Sequence, residues 1–165
     1  MKEIRCYRPR ALGLGLVVAI TLAVSRPAVV PQPVLPVWPA QGRITGVYGN
    51  DGGRRHHGID IGILRSLKVR AAVPGRVILV GRPRGWSGYG NVVVVRSNRN
   101  TTELYAHLSG YRVKKDQRVR IGQRLGTAGC TGRCTGTHLH FEVRRGGHPV
   151  NPLRTVLRRA TLAKT

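Results

Sequence analysis

His138-Leu139-His140-Phe141-Glu142-Val143 reads as a β-strand with two chemically different faces: alternation sends His138, His140 and Glu142 to one side and Leu139, Phe141 and Val143 to the other. The apolar side needs a core, and the polar side carries reactive groups. Two imidazoles two residues apart can converge on one ion, can divide into one ligand and one catalytic group, or can be a solvated pair on an edge strand. Glu142 can orient one of those histidines from behind or can be a plain surface carboxylate.

Around this strand the chain repeats one pattern, short Val- and Ile-rich runs separated by turns that draw on 22 glycines. Strands are predicted over residues 68–73, 75–80, 91–96, 102–107, 118–122 and 138–144, and a helical period only over residues 152–160. At 165 residues without an internal repeat, one domain is expected. The predicted fold is mostly β, a small antiparallel sheet or sandwich with a groove and little helix.

Two further clusters carry chemistry. In His56-His57-Gly58-Ile59-Asp60 a histidine and a carboxylate flank a glycine that allows close approach of the backbone. Both are good zinc donors, and a catalytic zinc site takes three protein ligands plus water, so His140 is the natural third. His56 and His57 are equal candidates from the residues alone, and the segment also fits a polar turn. Tyr105-Ala106-His107-Leu108-Ser109 places another histidine at the end of a β-rich run, where by itself it carries little information.

The ordered combination resembles the lysostaphin-type, or LytM-like, zinc endopeptidases of peptidoglycan along nearly all of residues 42–153. The family's His-x-Gly-Ile/Val-Asp, Tyr-Ala-His-Leu and Gly-x-His-Leu-His-Phe-Glu-Val segments stand here at residues 56–60, 105–108 and 136–143. The stretches 42–49, 72–77, 88–94 and 151–153 also look like the family's strands and turns. The resemblance implies a zinc site of His56, Asp60 and His140, resolving the doubled histidine in favour of His56. It makes His107 and His138 the acid-base and transition-state-stabilising pair, and peptidoglycan cross-links or stem peptides the substrate. Thr137 replaces the usual proline before the His-Leu-His strand, and residues 64–67 match the family poorly, but neither departure removes a ligand. Cys130 and Cys134 bracket a glycine turn beside that strand; in an exported protein they can form a disulfide, and free thiols are the alternative.

The N-terminus reads as an export signal. Lys2, Arg5, Arg8 and Arg10 precede an apolar run over residues 11–24, shorter than the roughly 20 residues that span a bilayer. Residues 1–25 are expected to be a signal peptide or an uncleaved N-terminal anchor, residues 26–41 a stiff proline-rich linker, and residues 42–165 the lysostaphin-type zinc metallopeptidase domain. Such a protein would be exported, in the extracellular space or cell wall, or anchored facing outward, and a monomer.

With 29 basic residues against 6 acidic ones, the formal charge is +23. Residues 1–41 hold five of the basic residues and one acid, which leaves 24 against 5, or +19, in the expected domain. Anionic cell-wall polymers would satisfy that field, although arginine-rich genome composition would also produce it. Scarce aromatics, the export signal and the lack of a basic helix count against a nucleic-acid partner. The expected function is zinc-dependent hydrolysis of peptidoglycan peptide bonds; the alternative is a catalytically inactive wall-binding or regulatory protein of the same fold.

Overall fold

The computed structural model describes residues 37–51 and 53–155; the apolar N-terminal run, most of the proline-rich stretch and residues 156–165 lie outside the described residues. The strands are β1 (Gln41–Gly46), β2 (Gly49–Asp51), β3 (Arg54–His56), β4 (Ile59–Ser66), β5 (Lys68–Arg70), β6 (Gly75–Gly81), β7 (Val92–Asn98), β8 (Thr101–Ala106), β9 (Leu108–Tyr111), β10 (Arg118–Val119), β11 (Arg124–Ala128), β12 (Leu139–Arg145) and β13 (His148–Val150). Helix is confined, among the described residues, to a 3-10 turn at Ser87–Tyr89 and one turn at residues 152–155. The mostly-β antiparallel expectation holds.

The main sheet runs β1-β4-β12-β8-β7-β6-β10, with β13 paired to β12, and a smaller sheet runs β5-β11-β9. Ile59, Ile61, Val77, Val93, Val95, Tyr105, Phe141 and Val143 from the main sheet meet Val69, Leu108, Leu125 and Ala128 from the small one in a single core. Each fully buried aliphatic or aromatic side chain there contributes roughly 1.5–3 kcal/mol relative to exposure. Tyr105 and Phe141 are direct cross-strand partners with ring centroids 5.2 Å apart. On the other face of the main sheet Val92, Val94, Leu104 and Ala106 form a second apolar cluster under Trp86 and Tyr89.

The alternation read from residues 138–143 therefore places Leu139, Phe141 and Val143 in the core. Two expected strands are shorter than their apolar runs, because β5 ends at Arg70 and β10 at Val119. The folded body also reaches upstream of Gly42. Val37 donates its N–H to the Ala72 carbonyl, Pro39 accepts from Arg70 N–H, both at 2.9 Å, and Ala40 is buried in the core. Pro39 lacks a donor, but its carbonyl still serves as an acceptor.

Candidate metal centre

β4 and β12 are neighbours, and their antiparallel register sets His140 directly opposite Asp60. Directly paired residues project to the same side of a sheet, so the carboxylate and the imidazole meet although they are 80 positions apart. His56 closes the group from the end of β3. Gly58 lies between them where a Cβ would run into the Phe141 carbonyl oxygen, so only glycine lets the chain turn from His56 into β4 this close to β12.

Three donor atoms converge. His56 Nε2 lies 3.0 Å from His140 Nδ1, Asp60 Oδ1 lies 3.3 Å from His56 Nε2, and Asp60 Oδ1 lies 2.8 Å from His140 Nδ1. The opposite nitrogen of each ring is occupied: His56 Nδ1 is 2.8 Å from the Val47 carbonyl, and His140 Nε2 is 3.0 Å from Glu142 Oε1. Those acceptors fix the tautomers and leave three lone-pair atoms facing one another, an arrangement that is repulsive unless a proton or cation sits among them. Tetrahedral zinc with bonds of about 2.0 Å needs ligand atoms roughly 3.3 Å apart, and a donor set of two imidazoles and one carboxylate suits it. The residues present fit a zinc ion.

The electrostatics agree. Burial works against the charge on Asp60, but hydrogen bonds from His140 and His56 hold its carboxyl well below the usual range. His56 is raised, chiefly by its bond to Asp60. Burial pulls His140 down, yet Asp60 and Glu142 together raise it above an ordinary histidine.

Behind the three lies a support that the sequence reading only half anticipated. Glu142 is wholly buried and holds His140 on Oε1, while Arg144 Nε donates to Oε2 at 2.6 Å and the Tyr89 hydroxyl to Oε1 at 2.7 Å. Glu142 is thus no surface carboxylate. Burial opposes its charge, but His140, Arg144 and Tyr89 lower it below its ordinary value, and Tyr89 is pushed up to about 12 by burial and the neighbouring carboxylate. Sequence alone assigns no role to Tyr89, in the Gly-rich turn before β7, or to Arg144, near the end of β12.

His107 and His138 stand together at the centre's edge, with ring centroids 4.7 Å apart. His107 sits between β8 and β9 with φ of 60°, a left-handed conformation uncommon for a side-chain-bearing residue, which turns its ring out of the strand line. Its Nδ1 is 2.7 Å from the Thr131 carbonyl, and burial lowers its pKa despite that bond. His138 Nδ1 is 2.7 Å from the Gly136 carbonyl and its Nε2 3.6 Å from Asp60 Oδ1. With each Nδ1–H given to a carbonyl, Nε2 is the ring nitrogen that carries the lone pair.

The five residues line one groove of about 410 Å³, walled by Arg55, His57, Arg133 and Thr135 among others. His57 stays in the wall, outside the converging set. The loop carrying Thr131 is cross-linked: Cys130 and Cys134 form a disulfide with Cα atoms 5.5 Å apart. Gly132 packs on the Gly90 backbone, and Arg133 N–H donates to the Gly88 carbonyl at 2.9 Å, so the loop is fastened to the turn that carries Tyr89.

The chain is similar in sequence and in fold to known proteins. The murein hydrolase activator NlpD of Escherichia coli K12 is 37% identical over 118 residues, covering 71% of this chain and 30% of that protein. The DD-carboxypeptidase/endopeptidase Mpg of Neisseria meningitidis serogroup B is 42% identical over 104 residues, covering 63% of this chain and 23% of that protein. This chain therefore spans less than a third of the length of these relatives. Among solved structures, the catalytic domain of the prophage-encoded M23 protein EnpA of Enterococcus faecalis superposes with a TM-score of 0.64 at 31% identity, over 72% of this chain and 94% of that one. Lysostaphin of Staphylococcus simulans gives 0.64 at 26%, over 73% and 50%. Residues 54–152 match peptidase family M23, a span that takes in His56, Asp60, His107, His138 and His140, and the chain belongs to that family.

Proposed function

We propose that this chain is a zinc metalloendopeptidase that hydrolyses peptide bonds of bacterial peptidoglycan, in its cross-links or stem peptides. The observation that carries the reading is the pairing of a complete three-donor set, His56, Asp60 and His140, with two further imidazoles, each held at Nδ1 by a backbone carbonyl beside it. His56, Asp60 and His140 would hold the zinc ion, whose Lewis acidity would polarise a scissile carbonyl and lower the pKa of water toward about 7. His138 and His107 accept the proton from the attacking water, stabilise the oxyanion and return the proton to the leaving amine. Burial keeps His107 neutral at pH 7, the state a base requires. Thr131 and Gly136 carbonyls hold the two rings in the tautomer that presents Nε2.

The reading includes export through residues 1–25, as cleaved signal or outward-facing anchor, and action as a monomer outside the cytoplasm. The relatives named as murein hydrolase activator and DD-carboxypeptidase/endopeptidase support an envelope setting. The first of these also favours a second reading, a regulator that binds the wall without cutting it. A filled metal set with both flanking histidines weighs toward hydrolysis. The test is release of new amino termini from purified peptidoglycan by the zinc-loaded chain, beside His140→Ala and His107→Ala. Cleavage that stops on chelation and in both variants is expected; one zinc per chain with intact wall would establish the regulator instead.

A further inference from the structure

A second concave surface lies at the other end of the main sheet and shares no residue with the metal groove. It encloses about 840 Å³ over β7, β6 and β10, and Arg76, Arg96, Arg118 and Arg120 line it. Three of these are in register: Arg118 is the cross-strand partner of Arg76, and Arg76 is the partner of Arg96. Cross-strand partners share a face about 5 Å apart, and like charges directly opposite one another are destabilising. Here two such pairs run side by side across three strands, all exposed. Among the described residues none of the four arginines forms an ion pair with a carboxylate, and no acidic residue lines the groove.

The neutral lining has the same bias. Gln117 Oε1 accepts from Lys114 N–H at 3.1 Å and Gln123 Oε1 from Arg120 N–H at 3.0 Å, which leaves each amide nitrogen as a donor. Ser97 is the exception, because its one hydroxyl proton goes to buried Glu103 at 2.8 Å. Arg76 Nη1 donates to the Asp116 carbonyl at 3.2 Å, which steadies its guanidinium within the row. The groove presents mainly donors on a repulsive row of cations, and its complement is a ligand made of acceptors with regularly spaced negative charge.

We infer that this arginine groove is a binding site for a phosphodiester-repeat polymer of the cell envelope. Guanidinium forks bind phosphate oxygens bidentately, and a row of three matches several successive phosphates rather than one. A bound polyanion also relieves the cross-strand repulsion. The site would hold the enzyme on the wall while leaving the metal groove, on β4 and β12, free for peptide. It does not depend on hydrolysis and would serve either reading above.

The test is binding of poly(glycerol phosphate) by the full chain, followed by fluorescence anisotropy across a salt titration. Arg76→Gln/Arg96→Gln/Arg118→Gln is compared with an equal loss of charge elsewhere, Arg65→Gln/Arg82→Gln/Arg112→Gln. The groove variant should lose at least about tenfold in affinity, with the salt slope falling by about one for each arginine removed, and the control less than about threefold. Single variants Arg96→Gln and Arg118→Gln, each losing about threefold, carry the test if the triple variant melts early. Equal losses in both triples, or none, would mean diffuse charge and overturn the site. Arginine-dependent binding as strong to poly-glutamate, or to phosphatidylglycerol vesicles, would overturn the assignment to a phosphodiester polymer.

Discussion

The Glu142 carboxylate, with no exposure to solvent, accepts from His140 Nε2 at 3.0 Å and so decides which nitrogen His140 turns toward Asp60. Carboxylates behind metal-binding histidines typically change metal affinity 10–100-fold when removed. Glu142→Gln keeps the shape but loses the charge that Arg144 and His140 share. Its zinc dissociation constant, measured by competition with a chelator, should rise by about that factor, whereas Tyr89→Phe, which removes one neutral donor, should change it by less than about threefold. Unchanged affinity in Glu142→Gln would make the carboxylate purely structural.

Proton linkage gives the metal-free protein a stability window. Asp60, held below its usual range, contributes above its unfolded pKa near 4 and loses that contribution as pH falls through its folded value. His56 and His140, raised above 6.5, contribute below 6.5 and lose it as pH rises through their folded values. The cluster should therefore stabilise the apo protein most between about pH 4 and 6.5. Asp60→Asn should lower the apo Tm more at pH 5.5 than at pH 8, and because zinc requires neutral imidazoles its stabilising effect should be larger at pH 8. Calorimetry at the two pH values gives both comparisons.

His107 should set a low acid limb. Desolvation lowers its pKa against the pull of the Thr131 carbonyl, so it takes up its proton below the ordinary histidine range. If it serves as the base, kcat/KM should hold from pH 8 down to about 6.5 and fall below that. His107→Ala should lose about 10²–10⁴ in kcat while keeping one zinc per chain, which metal analysis would check.

The disulfide carries Thr131 between its cysteines, and Thr131 grips both His107 and the β7–β9 backbone, its hydroxyl accepting from Asn91 N–H at 2.9 Å and donating to the Leu108 carbonyl at 3.0 Å. Closing so short a loop contributes about 2 kcal/mol in the chain-entropy account. Cys130→Ala/Cys134→Ala should lose about that much in denaturant melts, lower kcat more than it raises KM, and retain zinc. Loss of zinc would mean that the loop supports the metal set rather than His107.

Gly58→Ala should be costly for a position that touches no ligand. The added methyl would run into the Phe141 carbonyl oxygen and stand 2.9 Å from Glu142 Cγ, forcing β4 from β12 where Asp60 faces His140. A loss of about 1–3 kcal/mol is expected, with weakened zinc binding, because overpacking at a sheet junction is relieved only by backbone movement.

The sequence by itself determined the strand character of residues 138–144, since period-two alternation depends only on which side chains need burial, and the core takes Leu139, Phe141 and Val143 as that pattern demands. It also supplied, through the ordered motifs, the set His56, Asp60, His140, His107 and His138 that one groove brings together. It did not show Asp60 on a long strand: residues 59–66 carry Gly62 and polar positions that break the alternation, and β4 is fixed by pairing with β1 and β12 instead. Alternation names a face but not the neighbour across it, so the meeting of Asp60 with His140 waited on register between segments 80 residues apart. The residues alone left His56 and His57 equal. Tertiary structure separates them, because β3 ends at His56, whose Nδ1 finds the Val47 carbonyl at 2.8 Å, while His57 falls into the groove wall. Buried Glu142 with its Arg144 and Tyr89 partners, and the row of arginines on β10, β6 and β7, were likewise decided by which strands lie side by side.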